Sequence, residues 1–252
     1  MVTLHCCLPD QPQRSFRGIK AILFDKDGTL ARSEDFLRAL AYRRARLVDA
    51  QLPGVLEPLL MAFGLEEQGL NPAGLMAVAS RRENVIAAAA YGAETGKDWF
   101  EALAIVEQAF TEADRGPQRK AQETPLFPPA RSFLQTLIDQ KVALGLISGD
   151  VTANLEDFLE TYGLAAGFQG VWGADRSPAK PDPDCFRQAC AELGVNPSEA
   201  LMVGDATGDM AMARAAGAAG CIGVTWGWSR SVRVQQADIV LSQWDQWRVE
   251  PE

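Results

Sequence analysis

The hydrophobic pattern divides the chain into strand-like and helix-like stretches of very different lengths. A short apolar run at residues 19–24 predicts a buried strand, and it ends at Asp25 and Asp27, whose carboxylates are unfavourable inside a core. Over residues 34 to about 115 the apolar positions recur at helical spacing, and no segment there is typical of a strand. The proline-rich segment 125–129 then ends the helical stretch.

Beyond residue 128, short apolar runs alternate with amphipathic helical patterns. The runs predicted as strands are residues 142–147, 168–172, 200–203, 221–224 and 239–241. We expect residues 239–241 to form the last strand of the chain. Strands that alternate with helices of ~10 residues indicate βαβ units and a parallel sheet. The pattern therefore predicts an α/β fold with a helical insertion after its first strand. Open α/β sheets bind ligands at the carboxyl ends of their strands, so the insertion is interpreted either as a lid or as a structural spacer.

Composition narrows the chemistry that such a fold can carry. The 252 residues include a single histidine, His5, which excludes a Ser-His-Asp triad in the body of the chain and a zinc site built from several imidazoles. The 24 basic and 33 acidic residues give a net charge of −9, which argues against a non-specific nucleic-acid binder and against a polybasic membrane-surface protein. A small anionic ligand is still compatible with this charge, because a site can differ in sign from the surface as a whole.

The chain lacks the patterns of an exported or membrane-embedded protein. Residues 1–17 contain no apolar run of the signal-peptide kind, and no stretch reaches the ~18 consecutive apolar residues of a membrane span. The five cysteines show neither disulfide nor zinc spacing and are expected to be buried thiols in a reducing compartment. We therefore expect a soluble, cytoplasmic protein without a nucleic-acid or membrane partner.

Polar side chains recur where the predicted strands end. These residues are Asp25 and Asp27, then Ser148, then Asp205 with Asp209 in the following turn. Each alone is typical of a turn or a helix cap, but the carboxyl ends of parallel strands meet at one sheet edge, so together they predict a shared site. Clustered carboxylates require a cation, and all-oxygen ligation favours a hard ion such as Mg²⁺, which usually accompanies a phosphate. Lys180, between two prolines, is either a fixed charge for this site or a solvated loop lysine.

Four motifs in this order resemble those of the haloacid dehalogenase superfamily, whose members are mostly phosphatases. The segment 25–30, Asp-Lys-Asp-Gly-Thr-Leu, is similar to the D-x-D-G-T-[LV] signature of that family. Ser148-Gly149 is similar to its second motif, Lys180-Pro181-Asp182-Pro183 to its third and residues 204–209, Gly-Asp-Ala-Thr-Gly-Asp, to its fourth. The resemblance covers residues 19–30 and 128–228 and points towards phosphoglycolate-phosphatase-like members with a helical cap.

The resemblance implies a Rossmann-like parallel sheet core with an inserted all-helical cap domain. The corresponding boundaries are an N-terminal tail over residues 1–18, an α/β core formed by 19–30 and 128–252, and a helical cap over 31–127. We call residues 31–127 the helical insertion below.

The resemblance also implies a role for each motif residue. Asp25 is the nucleophile that becomes an aspartyl phosphate, and Asp27 protonates the leaving alcohol and later activates water. Residues implied to hold or neutralise the phosphoryl group or substrate are Lys180, Thr29, Ser148 and the Gly149 N–H. Residues implied to ligate Mg²⁺ are Asp25, Asp205 and the Asp27 backbone carbonyl, with Asp209 as a ligand or as a partner of the metal's water shell.

The helical insertion offers weaker signals for specificity. Arg81 and Arg82 open a predicted helix, where the helix dipole disfavours positive charge, so they are candidate anion-binding residues; the alternative is a solvated helix face. Arg43 is interpreted as a surface charge. Trp226 and Trp228 are interpreted as packing residues of the loop after residue 224.

These features predict a Mg²⁺-dependent phosphatase acting on a small phosphomonoester, phosphoglycolate or a sugar phosphate. True dehalogenases of this superfamily lack an acid at the position of Asp27, because halide leaves without a proton. Two alternatives are a phosphomutase of the β-phosphoglucomutase type and a catalytically silent binding protein of the same fold. The expected partner is a small phosphorylated metabolite, and the expected assembly is a monomer or homodimer. One departure from the family pattern is Ser148-Gly149-Asp150, where many relatives carry asparagine after the hydroxyl residue.

Overall fold

The computed structural model describes residues 1–9, 12–116 and 119–252. Its strands are β1 (Val2–Cys6), β2 (Arg14–Ile19), β3 (Ala21–Phe24), β4 (Leu65–Glu66), β5 (Gly69–Leu70), β6 (Ala143–Ile147), β7 (Phe168–Trp172), β8 (Ala200–Gly204), β9 (Gly220–Val224), β10 (Ile239–Leu241) and β11 (Trp247–Pro251). Its α-helices are α1 (Glu34–Asp49), α2 (Leu56–Phe63), α3 (Leu75–Val78), α4 (Arg81–Glu94), α5 (Trp99–Ala113), α6 (Lys120–Glu123), α7 (Pro128–Asp139), α8 (Thr152–Thr161), α9 (Pro183–Glu192) and α10 (Thr207–Ala216).

A six-stranded parallel sheet forms the centre of the molecule, in the order β10-β9-β8-β3-β6-β7. Strand β3 lies between β6 and β8, and its last residue, Phe24, pairs with Leu146 on one side and Val203 on the other. This register aligns the carboxyl ends of the three strands, so the residues that follow them emerge at one edge. The prediction of an α/β, Rossmann-like core with a parallel sheet is confirmed.

The two faces of the sheet are covered by separate apolar clusters. One cluster joins Leu134 of α7 and Phe158 of α8 to alternate residues of β3, and the other joins Phe186 of α9 and Met210 of α10 to the opposite face. All four residues of β3 are fully buried, as a central strand covered on both faces requires. This burial fixes the position from which the first motif leaves the sheet.

Elements α1–α6 lie within the predicted helical insertion, and α1–α5 surround an apolar cluster that is separate from those of the sheet. Its members include Leu40, Phe63 and Phe110. The segment is helical except for a hairpin of two-residue strands, β4 and β5, which the all-helical prediction missed because two residues are too short for an alternating pattern. The chain enters and leaves the segment side by side, since Arg32 N–H donates to the Pro125 carbonyl at 2.8 Å. The predicted boundaries at 31 and 127 remain a prediction.

The prediction of an N-terminal tail over residues 1–18 was wrong. Strands β1 and β2 occupy much of this segment, and with β11 they form an antiparallel sheet in the order β11-β1-β2. Strand β10, expected to be the last, is therefore followed by another. The pairing could not be predicted locally, because β11, a partner of β1, lies at the far end of the chain.

Two further expectations can be compared with the described residues. All five cysteines are free thiols and four of them are buried, as expected from their spacing. Within residues 1–9, 12–116 and 119–252, none of the helices combines the length and the apolar character needed to cross a membrane.

The three-stranded sheet is anchored by an aromatic cluster, and this anchoring is testable. The Trp247 ring stacks on Phe133 of α7 at 4.0 Å between ring centroids and is 6 % exposed. We expect Trp247→Ala to lower the free energy of unfolding by about 3 kcal/mol, since it removes a large buried ring, as measured by urea denaturation. The control Arg248→Ala removes a 61 % exposed side chain of the same strand and is expected to change stability by less than about 0.5 kcal/mol. Equal stability of both variants would contradict the anchoring.

Candidate active site

A cavity of about 1580 Å³ lies between the carboxyl edge of the central sheet and the helical insertion. The sheet contributes Asp25, Ser148 and Asp205 to its wall, and the insertion contributes Phe36 and Arg43. The polar side chains predicted to converge at the strand ends therefore share one cleft.

The loop after β3 directs both aspartates of the first motif into this cleft. The Asp25 N–H donates to the Val203 carbonyl at 2.9 Å, so the main chain stays in register with β8 for one further residue. It then turns sharply at Gly28, whose φ of +78° is strained for any side chain. A Cβ at Gly28 would lie 2.5 Å from Asp205 Oδ2, so glycine is needed both for the turn and for the close approach of the two motifs.

Three buried carboxylates form the centre of the site. Oxygens of Asp25, Asp205 and Asp209 all lie within 4.8 Å of one another. The Lys180 Nζ lies 2.6 Å from Asp25 Oδ1 and 2.6 Å from Asp209 Oδ1, and its side chain is only 15 % exposed. The interpretation of Lys180 as a solvated loop lysine was therefore wrong, because the residue is a fixed charge inside the cluster.

One ammonium group does not balance this cluster. Burial, together with the charges of Asp209 and Asp27, raises the pKa of Asp25 to about 7 against the lowering effect of Lys180. Burial, followed by the charges of Asp25 and Asp209, holds the pKa of Asp205 well above its ordinary value. Negative charge thus remains to be neutralised at this point.

The charge and donor chemistry of the cleft fit one divalent hard cation. Five carboxylates follow strands β3, β6 and β8 into the cleft, and they are Asp25, Asp27, Asp150, Asp205 and Asp209. Three ammonium groups contact them, those of Lys26, Lys120 and Lys180. When all of these side chains are ionised, the group lacks two positive charges, which one Mg²⁺ would supply, and the three clustered donors are all carboxylate oxygens, which Mg²⁺ prefers. The donor set therefore fits the predicted metal.

Asp27 lies beside this cluster and has different partners. Its Oδ1 accepts hydrogen bonds from the Lys26 ammonium at 2.9 Å and from the Ser33 hydroxyl. Burial raises the pKa of Asp27, but Lys26 and Lys120 outweigh it and leave this pKa below its ordinary value. Because Lys26 and Ser33 already bind the Asp27 side chain, the predicted metal ligand at this position is the Asp27 backbone carbonyl.

The second-motif residues line the cleft as predicted. Ser148 is buried, its N–H donates to the Trp172 carbonyl at 3.0 Å, and its hydroxyl accepts from the Asp150 N–H at 3.2 Å. A Cβ at Gly149 would meet only open space, so the backbone there is accessible from the cleft. Their predicted contact with the phosphoryl group stays a prediction.

The structure places Thr29 away from its predicted substrate contact. It is fully buried and is not part of the cleft wall, and its hydroxyl lies 3.4 Å from Asp205 Oδ1, so this side chain faces a metal-ligand candidate instead. The reason is the sharp turn at Gly28, which directs the chain back into the core after Asp27.

The arginines of the insertion differ in their surroundings. Helix α4 begins at Arg81 as expected, but the Arg81 guanidinium contacts Asp114 at 2.7 Å and Glu107 at 2.9 Å, so its charge is already balanced. Arg82 is exposed at the cleft. Arg43, interpreted as a surface charge, also lines the cleft, and its Nε is buried without a hydrogen-bond partner among the described residues.

A family model for haloacid dehalogenase-like hydrolases matches residues 19–217. The chain belongs to this family. The resemblance of the four motifs is thereby confirmed, as is the prediction of an enzyme of the hydrolase class. The match spans the helical insertion and the α/β core as far as the end of α10.

Individual relatives of this hydrolase are similar over most of their length. A phosphoglycolate phosphatase of Rhodospirillum rubrum is 29 % identical over 216 residues, 84 % of this chain and 81 % of the relative. A phosphoglycolate phosphatase of Escherichia coli K12 is 28 % identical over 232 residues and 89 % of each chain. The crystal structure of a predicted phosphoglycolate phosphatase from Haemophilus somnus superposes with a TM-score of 0.65 at 22 % identity, covering 90 % of this chain and 95 % of the other. This last likeness concerns the fold.

Trp228 is a residue of the hydrolase site that sequence reasoning missed. Its ring belongs to the apolar cluster of the helical insertion, while its indole N–H donates to Asp205 Oδ2 at 2.5 Å. The predicted packing role accounts for the ring but not for the N–H, since no sequence pattern shows that a tryptophan 23 positions after Asp205 returns to it. Trp228 therefore links the insertion to a metal-ligand candidate.

This link predicts an effect on metal affinity. We expect Trp228→Phe to weaken Mg²⁺ binding about 10-fold or more, because the ring is retained while the donor that orients Asp205 is lost. Titration calorimetry of Mg²⁺ into the protein measures this. Trp226→Phe is the matched control, since the Trp226 indole donates to the Thr29 backbone carbonyl at 2.9 Å and not to a carboxylate. An unchanged Mg²⁺ affinity in Trp228→Phe would contradict the orienting role.

Proposed function

We propose that this hydrolase is a Mg²⁺-dependent phosphatase that cleaves a small phosphomonoester through an aspartyl-phosphate intermediate. The observation that carries the proposal is the pairing of two different aspartates in one cleft. Asp25 is held by Lys180 inside the carboxylate cluster, and Asp27 is held on one oxygen by Lys26 and Ser33. A nucleophile and a separate acid–base residue are what two-step phosphoryl transfer requires.

The first step forms the intermediate on Asp25. A carboxylate oxygen of Asp25 attacks phosphorus, the bond from phosphorus to the ester oxygen breaks, and Asp27 transfers its proton to that oxygen as the alcohol leaves. Lys180 offsets the negative charge of the nucleophile and the phosphoryl group, and Ser148 and the Gly149 N–H donate to the phosphoryl oxygens. In the second step Asp27 takes a proton from water, the water oxygen attacks phosphorus, and the bond between phosphorus and the Asp25 oxygen breaks, which releases inorganic phosphate and regenerates the Asp25 carboxylate.

The metal is assigned to the carboxylate cluster. Asp25, Asp205 and Asp209, with the Asp27 carbonyl, would hold Mg²⁺, which supplies charge neutralisation for the transferring phosphoryl group when it is bound. The lysines beside Asp27 favour its ionised form, and the incoming phosphate acts in the opposite direction, because a nearby anion raises the pKa of a carboxyl group.

Phosphoglycolate or a sugar phosphate is the proposed substrate class. The names of the two curated relatives reported above support phosphoglycolate. Arg43 and Arg82 on the insertion side of the cleft offer positive charge to a polar or anionic substrate body. We accordingly propose a small phosphorylated metabolite as the partner of the site.

The proposal is tested with a panel of phosphate esters, with and without Mg²⁺. We expect phosphate release by the wild type only with Mg²⁺, and a loss of kcat of about 10³-fold or more in Asp25→Asn, because the nucleophile is removed. Asp184→Asn, the same change at an exposed residue near the start of α9, is the control and is expected to retain activity.

Three outcomes would contradict the proposal in different ways. Undiminished turnover by Asp25→Asn would show that Asp25 is not the nucleophile. Conversion of a sugar phosphate to its isomer without net release of inorganic phosphate would favour a mutase, which uses the same core residues. Absence of turnover, together with no rise in melting temperature on adding Mg²⁺ and fluoroberyllate, would favour a silent binding protein.

A further inference from the structure

We propose that Lys26, with Asp150 as its counter-ion, is a positioning residue that fixes Asp27 for proton transfer to the leaving group. The inference rests on the proposed phosphatase function and assigns a positioning role to Lys26, so far named only as a partner of Asp27, and a supporting role to Asp150. It concerns the geometry of one carboxylate, whose two oxygens have different surroundings.

Lys26 reaches Asp27 from the protein interior. Its side chain is 1 % exposed, and its ammonium lies 2.9 Å from Asp27 Oδ1, 3.2 Å from Asp150 Oδ2 and 5.8 Å from the centroid of the Phe158 ring. Asp27 lines the cleft, whereas Lys26 does not. A buried ammonium is retained only with close partners, so this arrangement constrains both carboxylates as firmly as it constrains the lysine.

The two carboxylate oxygens of Asp27 differ in their hydrogen bonds. Oδ1 accepts from both the Lys26 ammonium and the Ser33 hydroxyl. No hydrogen bond within residues 1–9, 12–116 and 119–252 reaches Oδ2. Two donors on one oxygen fix the plane of the carboxyl group, and the other oxygen is left as the one that can carry a proton to a substrate in the cleft.

Asp150 keeps Lys26 in this position. Its Oδ1 accepts from the Asn154 amide at 2.7 Å and from the Val151 N–H at 2.9 Å, which orients the carboxylate within the loop after β6. Its Oδ2 faces two ammonium groups, Lys26 at 3.2 Å and Lys120 at 2.6 Å. The Lys26 ammonium is thus held between the carboxylates of Asp27 and Asp150.

Lys120 extends the arrangement to the helical insertion. It lies on α6, near the end of the insertion, and its ammonium is 5.3 Å from the ring centroid of Phe36 on α1, near the beginning. The Asp150 carboxylate is therefore shared between the first-motif loop and the segment that returns from the insertion. The second motif of this chain has Gly149 where many relatives carry asparagine, and the next residue, Asp150, forms ion pairs.

The test compares two substrates that differ in their need for an acid. An alkyl phosphate such as phosphoglycolate releases a strongly basic alkoxide unless a proton is supplied, whereas p-nitrophenyl phosphate releases a weakly basic phenolate. We expect Lys26→Met to lower the ratio of kcat/KM for the alkyl ester to kcat/KM for the aryl ester about 10-fold or more, as a misplaced general acid would. Lys26→Arg, which keeps a charged donor, is expected to restore part of the ratio.

Controls separate positioning from general damage. Lys20→Met makes the same change next to the amino end of β3, where Lys20 pairs with Glu199 at 2.5 Å, and is expected to leave the ratio unchanged. Asp27→Asn is expected to change the ratio in the same direction as Lys26→Met and by a larger factor. An equal loss on both substrates in Lys26→Met, with no rescue by arginine, would overturn the inference.

A second variant covers the case in which Lys26→Met does not fold. Asp150→Asn keeps the size of the side chain and removes the counter-ion, and we expect it to lower the same ratio several-fold with unchanged circular dichroism. An unaltered ratio in folded Asp150→Asn would overturn the role of the counter-ion. If the wild type hydrolyses neither ester, the proposed phosphatase function is wrong. If the wild type is active but the variants leave the kcat/KM ratio unchanged, only the positioning role is wrong.

Discussion

The mutual repulsion of buried carboxylates at one sheet edge is the constraint on which the rest of this site depends. Asp25, Asp205 and Asp209 are each at least nine-tenths buried and lie within a few ångströms of one another. Such a group is stable only if positive charge reaches it from outside the strands that carry it. The Lys180 loop, between β7 and α9, supplies part of that charge, and a divalent cation fits the remainder.

The neighbouring cluster around Asp27 solves the same problem without a metal. Lys26 and Lys120 offset the charges of Asp27 and Asp150, and the pKa of Asp150 is accordingly lowered by these lysines although burial alone raises it. Two aspartates separated by one residue are thus placed in different electrostatic environments, Asp25 in a cluster with one ammonium group for three carboxylates and Asp27 near two ammonium groups. Different environments for two carboxyl groups allow one of them to attack phosphorus while the other handles protons.

The centre of the site was predictable because its geometry follows from a few local rules. Polar residues directly after apolar strands must emerge at the carboxyl edge of a parallel sheet, and this places Asp25, Ser148 and Asp205 together whatever the rest of the fold. The roles of Thr29 and Arg81 were not predictable in this way. Thr29 turns inward because of the φ at Gly28, and Arg81 is neutralised by Glu107 and Asp114, which lie 26 and 33 positions further along the chain. Such partners are set by tertiary packing, and no spacing in the sequence identifies them.

The net charge of −9 is compatible with an anionic ligand, because the charges near the site, and not the total, determine whether an anion can bind. The net charge of the whole chain says little about the group at the ends of β3, β6 and β8, in which five carboxylates, three lysines and the proposed Mg²⁺ balance one another. Against that neutral background the unpartnered Arg43 Nε and the exposed Arg82 give the insertion side of the cleft a positive character. The absence of histidine beyond His5 has the same explanation, because aspartates and lysines between them can supply the nucleophile, the acid, the metal ligands and the counter-charges.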